Sequence, residues 1–202
     1  MKIFIIRHPH SIANEEKIYN SFTDVPLSGK GAKQMDEVIQ YLKNFNNVDI
    51  GQVQSIYSSP LTRCANLANK LAKEWNCPVV KDDKLVEMNF GIFEGKTYQE
   101  IDLTFPNELL QWSNDYIHYQ IPEGESLQQC VLRIEPFVNR LKDQAQDVAI
   151  VTHGGIVKLL MLLFLELPIE VYWKFKTDNC CIVEINYENN FGYLSNLVNF
   201  SS

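Results

Sequence analysis

Two of the four histidines stand directly after short apolar runs of the sequence. His8 follows residues 2–6 and Arg7, and His153 follows residues 147–152. A nitrogen of the imidazole ring can act as a nucleophile or a general base near neutral pH. Arg7 closes an apolar run, where an unpaired guanidinium is costly to bury, so we expect it to face an anion or a carboxylate.

A second arginine, Arg63, lies close to a helix start predicted at Ser58-Ser59-Pro60. A guanidinium fork matches the oxygens of a phosphoryl group, and helix N-termini at Pro60 and Gly154 would add backbone N–H donors. Such a set of histidines, arginines and helix starts can hold a phosphoryl group without a metal ion and leave one imidazole to attack phosphorus in line. The sequence therefore predicts phosphoryl-transfer chemistry.

The leaving oxygen of that reaction needs a proton from a general acid. Glu87, in LVEMNFGIFEG at residues 85–95, is the carboxylate in the best sequence context, although the residues alone leave it one of 25 acidic residues. His118 lacks the context of His8 and His153, and we expect it to be a structural residue.

The positions of the two histidines depend on the strands that are predicted directly before them. Residues 2–6 and 147–152 are typical of strands that are buried on both faces of a sheet. Residues 181–187 and 191–198 are typical of a hairpin that turns at the Asn-Asn pair between them.

Helices are predicted between these strands. One extends over residues 29–45, a second over 58–75 from its Ser-Ser-Pro start, and a third to about residue 142 from a capping box of Ser126 and Gln129.

Strands that alternate with helices predict an α/β fold, a three-layer α/β/α sandwich whose mostly parallel central sheet has an antiparallel edge strand. Ligands of open α/β sheets bind beyond the carboxyl ends of the strands, which is where both histidines stand. No linker or repeat divides the sequence, so we expect residues 1–202 to form a single domain. Residues of about 88–125, rich in aromatic side chains and carboxylates, are predicted to be a helical excursion that forms a lid.

The composition of the chain argues against some classes of binding partner. The 202 residues are 46% hydrophobic and carry a formal net charge of −7, which argues against broad binding to nucleic acid or to an acidic membrane. The longest apolar stretch, residues 156–167, is shorter than the roughly 20 residues of a membrane span and is predicted to be a buried helix.

The expected compartment is the cytoplasm. The first apolar run is too short for a signal peptide, and five cysteines without a C-x-x-C pair predict neither a disulfide framework nor a zinc site. Both a monomer and a homodimer are compatible with the sequence.

Six ordered blocks resemble the histidine phosphatase superfamily, the phosphoglycerate-mutase-like group. They are IIRHPHSIAN at residues 5–14, TDVPLSGKGAKQ at 23–34, SSPLTRC at 58–64, LVEMNFGIFEG at 85–95, PEGES at 122–126 and VTHGG at 151–155. Together they extend over nearly the whole chain.

The resemblance implies a phosphoglycerate-mutase-like fold and a metal-independent phosphoric monoester hydrolase that needs no cofactor. It implies that His8 is the nucleophile that becomes phosphohistidine and that Glu87 is the proton donor. The groups that it places around the phosphoryl group are Arg7, Asn14, Arg63, His153 and the backbone N–H of Gly154.

The first block departs from the family pattern, which most often has glycine in the place of Pro9 and glutamate or glutamine in the place of His10. Proline fixes φ and removes a backbone donor, so a donor that the pocket takes from this position must come from elsewhere. His10 is either a pH-sensitive group near the nucleophile or a residue of the pocket mouth in solvent.

A phosphatase and a mutase share the phosphohistidine and differ in the acceptor, which is water or a hydroxyl of a bound phosphorylated acid. Cofactor-dependent mutases of this family have an arginine directly after the acid and a lysine further on, where this sequence has Met88 and Tyr98. We therefore predict a phosphatase with a small phosphorylated substrate, such as α-ribazole 5′-phosphate or a sugar phosphate. A cofactor-dependent phosphoglycerate mutase is the alternative.

Two further functions stay open. His8-x-His10 also resembles the first two ligands of a metal-dependent hydrolase, with His118 and His153 to complete a site, although the two arginines would repel the cation. A non-catalytic phosphate-binding module is the other, since superfamily members can lose a pocket residue. In this sequence none of the principal residues is missing, which are Arg7, His8, Arg63, Glu87 and His153.

Overall fold

The computed structural model describes residues 1–44, 53–144 and 146–200. The strands, in chain order, are β1 Lys2–Arg7, β2 Ser55–Ser58, β3 Val79–Lys81, β4 Val148–Thr152, β5 Ile182–Glu188 and β6 Phe191–Val198. They form one sheet in the order β3-β2-β4-β1-β5-β6. The two strands predicted ahead of the histidines, β1 and β4, are neighbours at its centre.

The sheet is parallel from β3 to β1, and β5 is antiparallel to both β1 and β6. The sequence predicted an antiparallel strand at the edge. The strand that opposes the others is β5, one place inside the edge, because the hairpin returns β6 along its outer side. The turn is at the predicted place, with Asn189 and Asn190 at φ of 52° and 60°, values that asparagine tolerates better than most residues.

The helices of the described residues are α1 Ile12–Glu15, α2 Gly29–Asn44, α3 Thr62–Trp75, α4 Tyr98–Thr104, α5 Pro106–Asn114, α6 Leu127–Gln144 and α7 Gly154–Leu165. Phe45, the predicted end of α2, lies outside the described residues. The predicted capping box of α6 is confirmed, because Gln129 N donates to Ser126 Oγ at 3.1 Å and Ser126 N donates to Gln129 Oε1 at 2.8 Å.

The helix predicted to begin at residues 58–60 begins later, so that boundary was wrong. Ser59 N donates to Val151 O at 3.0 Å, and the serine pair thus continues the strand pairing of β2. The helix begins at Thr62, whose backbone N–H donates to Asp24 Oδ1 at 2.8 Å.

Helices cover both faces of the sheet. Ile3 and Ile5 of β1 pack in one apolar cluster with residues of α6 and α7. Phe4 and Ile6 point the other way and pack in a second cluster with residues of α2 and α3. The three-layer α/β/α sandwich is therefore confirmed. In the part of the chain that the structure describes, no helix is long and apolar enough to span a membrane.

Strand register brings the predicted site residues to one edge of the sheet. Arg7 of β1 is paired with Thr152 of β4, so His8 and His153, the next residue of each chain segment, leave the sheet side by side. Because β2 pairs with the other side of β4, the loop that leads to Arg63 reaches the same edge.

Candidate active site

His8 and His153 lie against each other at the carboxyl edge of the sheet. Their ring centroids are 5.2 Å apart, and the two residues are only 5% and 1% exposed. His8 Nδ1 lies 2.7 Å from the carbonyl oxygen of Pro9. A carbonyl oxygen only accepts, so this contact assigns the proton to Nδ1 and leaves the lone pair on Nε2. The free nitrogen of His8 is thus Nε2.

The ring of His153 is held by two neighbours. Arg63 Nε donates to His153 Nδ1 at 3.3 Å, and His153 Nε2 lies 2.9 Å from Ser59 Oγ. Because a guanidinium N–H only donates, Nδ1 is an acceptor and the ring is neutral. These contacts fix the orientation of His153 beside His8.

Burial and positive charge favour the neutral form of both rings. Burial lowers the pKa of His8 well below its usual value of 6.5, and the charges of Arg7 and Arg63 lower it further, while the hydrogen bond to Pro9 opposes them. Burial also makes the largest contribution to lowering the pKa of His153, followed by His8 and the two arginines. A neutral imidazole is the form that can attack phosphorus.

Arg63 is a buried cation whose hydrogen-bond acceptors are two carbonyl oxygens and the ring of His153, and not carboxylates. The residue is 1% exposed, Nη1 donates to Thr23 O at 2.9 Å and Nη2 donates to Ser21 O at 2.7 Å. Glu94 holds this acceptor loop by accepting from the backbone N–H groups of Ser21 and Thr23. In the described part of the chain, no carboxylate forms an ion pair with Arg63. Its charge is therefore available to an anion.

Arg7 also lacks an anionic partner among the described residues. Nη1 donates to Thr177 O at 2.6 Å, and Nε is buried without any hydrogen-bond partner. A Cβ at Gly154 would lie 3.1 Å from Cζ of Arg7, so this glycine lets the guanidinium lie close to the start of α7. A buried and unpaired donor is costly, and a bound oxyanion would satisfy it.

Glu87 faces the same helix start. Its Oε2 accepts from Gly155 N at 3.0 Å, and its Oε1 accepts from Met88 N at 3.1 Å. Arg133 holds the loop behind it, with Nη1 donating to Lys84 O at 2.6 Å and Nη2 donating to Glu87 O at 3.4 Å. The carboxyl group is thus fixed at the start of α7, where the guanidinium of Arg7 also lies.

Asn14 is linked to His8 through Asn179, whose Nδ2 donates to both residues. Asn14 Oδ1 accepts from Ser11 Oγ at 3.1 Å and from Asn179 Nδ2 at 3.0 Å, which leaves Asn14 Nδ2 without an acceptor among the described residues. The backbone N–H of Gly154 is also without a described acceptor, as expected in the first turn of a helix.

The arrangement has counterparts in known proteins. The sequence profile of the histidine phosphatase superfamily (branch 1) matches residues 3–199. The chain belongs to this superfamily. The family predicted from the six sequence blocks is therefore confirmed.

Named relatives cover almost the whole chain. Phosphoserine phosphatase 1 of Hydrogenobacter thermophilus is 27% identical over 93% of this chain and 87% of its own length. The crystal structure of the α-ribazole phosphatase from Shigella flexneri, 28% identical, has a TM-score of 0.87 and covers 98% of this chain and 96% of that one. A protein of Escherichia coli O1:K1 that is named as a phosphoglycerate mutase, GpmB, is 26% identical over 98% of this chain and 90% of its own. The predicted phosphatase class agrees with the first two names.

A cavity of about 520 Å³ adjoins the site residues. Arg7, Glu87, Gly154 and Gly155 are part of its lining. Aromatic and lysine side chains form the rest, among them Tyr19, Phe90, Trp112, Tyr116, Lys158, Tyr172, Trp173, Lys174 and Lys176. His8 and Arg63 are not among the lining residues, and Arg7, the residue directly before His8, connects the cavity to them.

Sequence reasoning missed several residues that shape the site. Asn179 Nδ2 donates to both His8 O and Asn14 Oδ1, and Thr177 supplies the carbonyl that holds Arg7. Both lie in an irregular segment before β5, for which the sequence has no pattern. Lys158 had a usable signal, because it follows Gly154 by four residues and therefore shares its face of α7.

The two remaining histidines are not brought to the site. His10 Nδ1 lies 2.8 Å from Ser28 Oγ at the start of α2, and His118 is exposed beside Asp115, 3.0 Å from Oδ1. That His118 is a structural residue stays a prediction. Residues 1–44, 53–144 and 146–200 contain no group of three or more His, Cys, Asp or Glu side chains that could hold a metal ion.

Proposed function

We propose that the protein hydrolyses small phosphate monoesters through a phosphohistidine on His8. The observation that supports this most strongly is the pairing of two buried neutral histidines, 5.2 Å apart, with two guanidinium groups that lack carboxylate partners in the described chain. A tetrahedral dianion satisfies Arg7 and Arg63 together, and it places phosphorus against Nε2 of His8.

In the first step, Nε2 of His8 attacks phosphorus while the ester oxygen departs on the opposite side. The P–N bond forms, the P–O bond to the alcohol breaks, and protonated Glu87 transfers its proton to the leaving oxygen. Arg7, Arg63 and the N–H of Gly154 stabilise the charge on the equatorial oxygens. The products of this step are the free alcohol, the phosphohistidine and the Glu87 carboxylate.

In the second step, water attacks the phosphohistidine. The Glu87 carboxylate accepts a proton from this water, the P–N bond breaks, and inorganic phosphate leaves with the neutral imidazole restored. His153 lies next to His8 at the phosphoryl-binding site, and the amide N–H₂ group of Asn14 donates to the phosphoryl oxygens.

A phosphatase fits this cavity better than the mutase. Met88, directly after the acid, is buried at 6% exposure, and Tyr98 is exposed at 53% and does not line the cavity. The cations that the mutases of the family have at these two places are therefore missing. The substrates proposed for this chain are small monoesters, with O-phosphoserine, α-ribazole 5′-phosphate and sugar phosphates as the first to test.

In this proposal residues 1–202 act as a single domain, and about 88–125 act as its lid. Support for the lid comes from Phe90, Trp112 and Tyr116, which belong to that segment and line the cavity. The activity is proposed for the cytoplasm, for a monomer or a homodimer and without a nucleic-acid partner, in keeping with the five free cysteines.

The test is a screen of purified protein against a panel of phosphate monoesters, with 3-phosphoglycerate and its bisphosphate included. We expect phosphate release that persists in a metal chelator, is inhibited by vanadate and is abolished in His8→Ala together with acid-labile labelling. Equal turnover by the wild type and His8→Ala would contradict the proposal. Interconversion of phosphoglycerates without phosphate release would favour the mutase, and loss of activity on chelation with rescue by a metal would favour a metal-dependent hydrolase.

A further inference from the structure

The proposed reaction assigns no role to three lysines that line the cavity, Lys158, Lys174 and Lys176. Lys158 lies on α7, four residues after Gly154, so both residues are on the same face of the helix. Its side chain lines the same cavity as Arg7 and Glu87. Lys158 is thus adjacent to the reacting groups, but it does not belong to the cradle, the set of His8, Arg7 and Arg63 proposed to bind the phosphoryl group.

The Lys158 ammonium has aromatic neighbours and no anionic partner. Nζ lies 4.4 Å from the ring centroid of Trp173 and 4.9 Å from that of Tyr172, whereas no carboxylate in the described ranges forms an ion pair with it. Lys176 differs, because its ammonium is paired with Asp178 at 2.9 Å. Lys158 is therefore a half-buried charge held between rings.

The surroundings of Lys158 favour a bound anion. Burial makes the largest contribution to lowering its pKa, Arg7 lowers it further, and Glu87 opposes them. The cavity is lined by four cationic side chains, Arg7, Lys158, Lys174 and Lys176, and by two carboxylates, Glu87 and Asp178. This excess of positive charge stands in a chain with a net charge of −7, so it is local to the cavity.

The distance from the cradle suits a small substrate. Four residues of α-helix advance about 6 Å along the axis, so an anion at Lys158 is a few bonds away from a phosphoryl group at the start of α7. Trp112 and Tyr116 provide apolar walls for the carbon atoms between the two charges. The single positive charge of the Lys158 ammonium balances one carboxylate, whereas a second phosphoryl group carries a charge of about −1.5 to −2.

We propose that Lys158 is a specificity-determining residue that binds a carboxylate of the substrate, so that the protein prefers phosphorylated carboxylic acids to esters without a second anion. This inference rests on the proposed function, because it requires the phosphoryl group to occupy the cradle of His8, Arg7 and Arg63.

Two matched pairs of esters test it. O-phosphoserine is compared with O-phosphoethanolamine, and 3-phosphoglycerate with glycerol 3-phosphate, since the members of each pair differ mainly in the carboxylate. We expect the wild type to have a kcat/KM about 10-fold or more higher for the carboxylate member, as for a charge-assisted hydrogen bond. Lys158→Met should lower this ratio about 10-fold, and Lys158→Arg should retain most of it.

A matched control is Lys96→Met. Lys96 also lies over an aromatic ring, with Nζ 5.9 Å from the centroid of Phe105, but it does not line the cavity, so its loss should leave the ratio unchanged. Thermal unfolding of each variant shows whether it is folded. If Lys158→Met does not fold, the ratio of kcat/KM between the two members of each ester pair is measured in Lys158→Gln. The same fall of about 10-fold is expected for that variant.

The outcomes separate the inference from the proposed function. An equal loss for both members of a pair would show that Lys158 serves the transferred phosphoryl group, and an unchanged ratio would show a purely structural lysine; either overturns the inference while the function stands. If the wild type cleaves no ester, p-nitrophenyl phosphate included, or if His8→Ala remains active, the proposed function fails and the inference fails with it.

Discussion

Nδ1 of His8 lies 2.7 Å from the carbonyl oxygen of Pro9, the residue directly after it. The contact selects the tautomer with the lone pair on Nε2. Proline lacks a backbone N–H but keeps its carbonyl, so the departure of Pro9 from the family pattern leaves this contact intact. His10 makes hydrogen bonds with Ser28 and Gln34, and its charge makes only the smallest of the contributions that lower the pKa of His8, after burial, Arg7 and Arg63.

The first prediction concerns protonation of the nucleophile. Because burial, Arg7 and Arg63 all lower the pKa of His8, we expect a larger fraction of its ring to be neutral at pH 5.5 than the roughly one-tenth of an unperturbed histidine. The measurement is an NMR titration of the imidazole C–H signals in the free protein. The His8 signals are assigned by their loss in His8→Ala, and a midpoint at or above 6.5 would contradict the role of the two arginines.

The second prediction is the pH dependence of stability. His8 and His153 both have a folded-state pKa below the usual value, so the unfolded chain binds more protons than the folded one below about pH 6.5. The free energy of unfolding should therefore be constant above that pH and fall as the pH falls below it. Each histidine contributes a slope of up to about 1.4 kcal/mol per pH unit.

Urea unfolding between pH 4.5 and 7.5 measures this slope. His8→Gln should reduce the slope by up to about 1.4 kcal/mol per pH unit, because glutamine does not titrate. His118→Gln, at an exposed position outside the site, is the control and should leave the slope unchanged. A slope in the His8→Gln variant equal to that of the wild type would contradict the prediction.

The third prediction concerns Gly155. A Cβ at this position would lie 2.4 Å from Oε1 of Glu87 and 2.9 Å from the hydroxyl oxygen of Tyr172, so Gly155→Ala must displace the carboxyl group. A displacement of about 1 Å can cost about 100-fold in rate. We expect such a loss for alkyl esters, whose leaving oxygen needs a proton, and a smaller loss for p-nitrophenyl phosphate.

The control for Gly155→Ala is Gly29→Ala. A Cβ at Gly29, the first residue of α2, would meet nothing within 4 Å, so kcat should be unchanged for both kinds of ester. If Gly155→Ala slows both kinds equally, the displaced group is not the proton donor.

The parts of the site that follow directly from strands could be predicted from the sequence. A strand buried on both faces is visible as an apolar run, so the ends of β1 and β4, and with them His8 and His153, could be located before any coordinates. The pairing of Arg7 with Thr152 then follows from the parallel sheet.

The rest depends on contacts between segments that no local pattern links. Thr177 reaches Arg7 across 170 residues of sequence, and Asn179 reaches His8 across 171. The start of α3 was predicted too early because Ser59 could be a cap or a strand end. Only the pairing with β4 decides between these two roles.

The fourth prediction concerns Arg133, which we expect to be a positioning residue for Glu87. Its guanidinium pairs with Glu125, with Nε 2.8 Å from Oε1, and it donates to the carbonyl oxygens of Lys84, Val86 and Glu87. Removing it would leave these oxygens and a largely buried carboxylate without their partner. Arg133→Met should therefore lower the free energy of unfolding by about 2–3 kcal/mol.

A double-mutant cycle of Arg133→Met and Glu125→Gln, measured by urea unfolding, separates the ion pair from the carbonyl contacts. We expect a coupling energy of about 1 kcal/mol. In Arg133→Met and in the double variant, we expect kcat to fall more for alkyl esters than for p-nitrophenyl phosphate. The control is Arg140→Met on the same helix. Its guanidinium pairs with Asp82 at 2.8 Å and is 44% exposed, so its loss should cost at most about 1 kcal/mol and leave the ratio of the two esters unchanged. An unchanged ester ratio in Arg133→Met would show that Arg133 stabilises the fold without positioning Glu87.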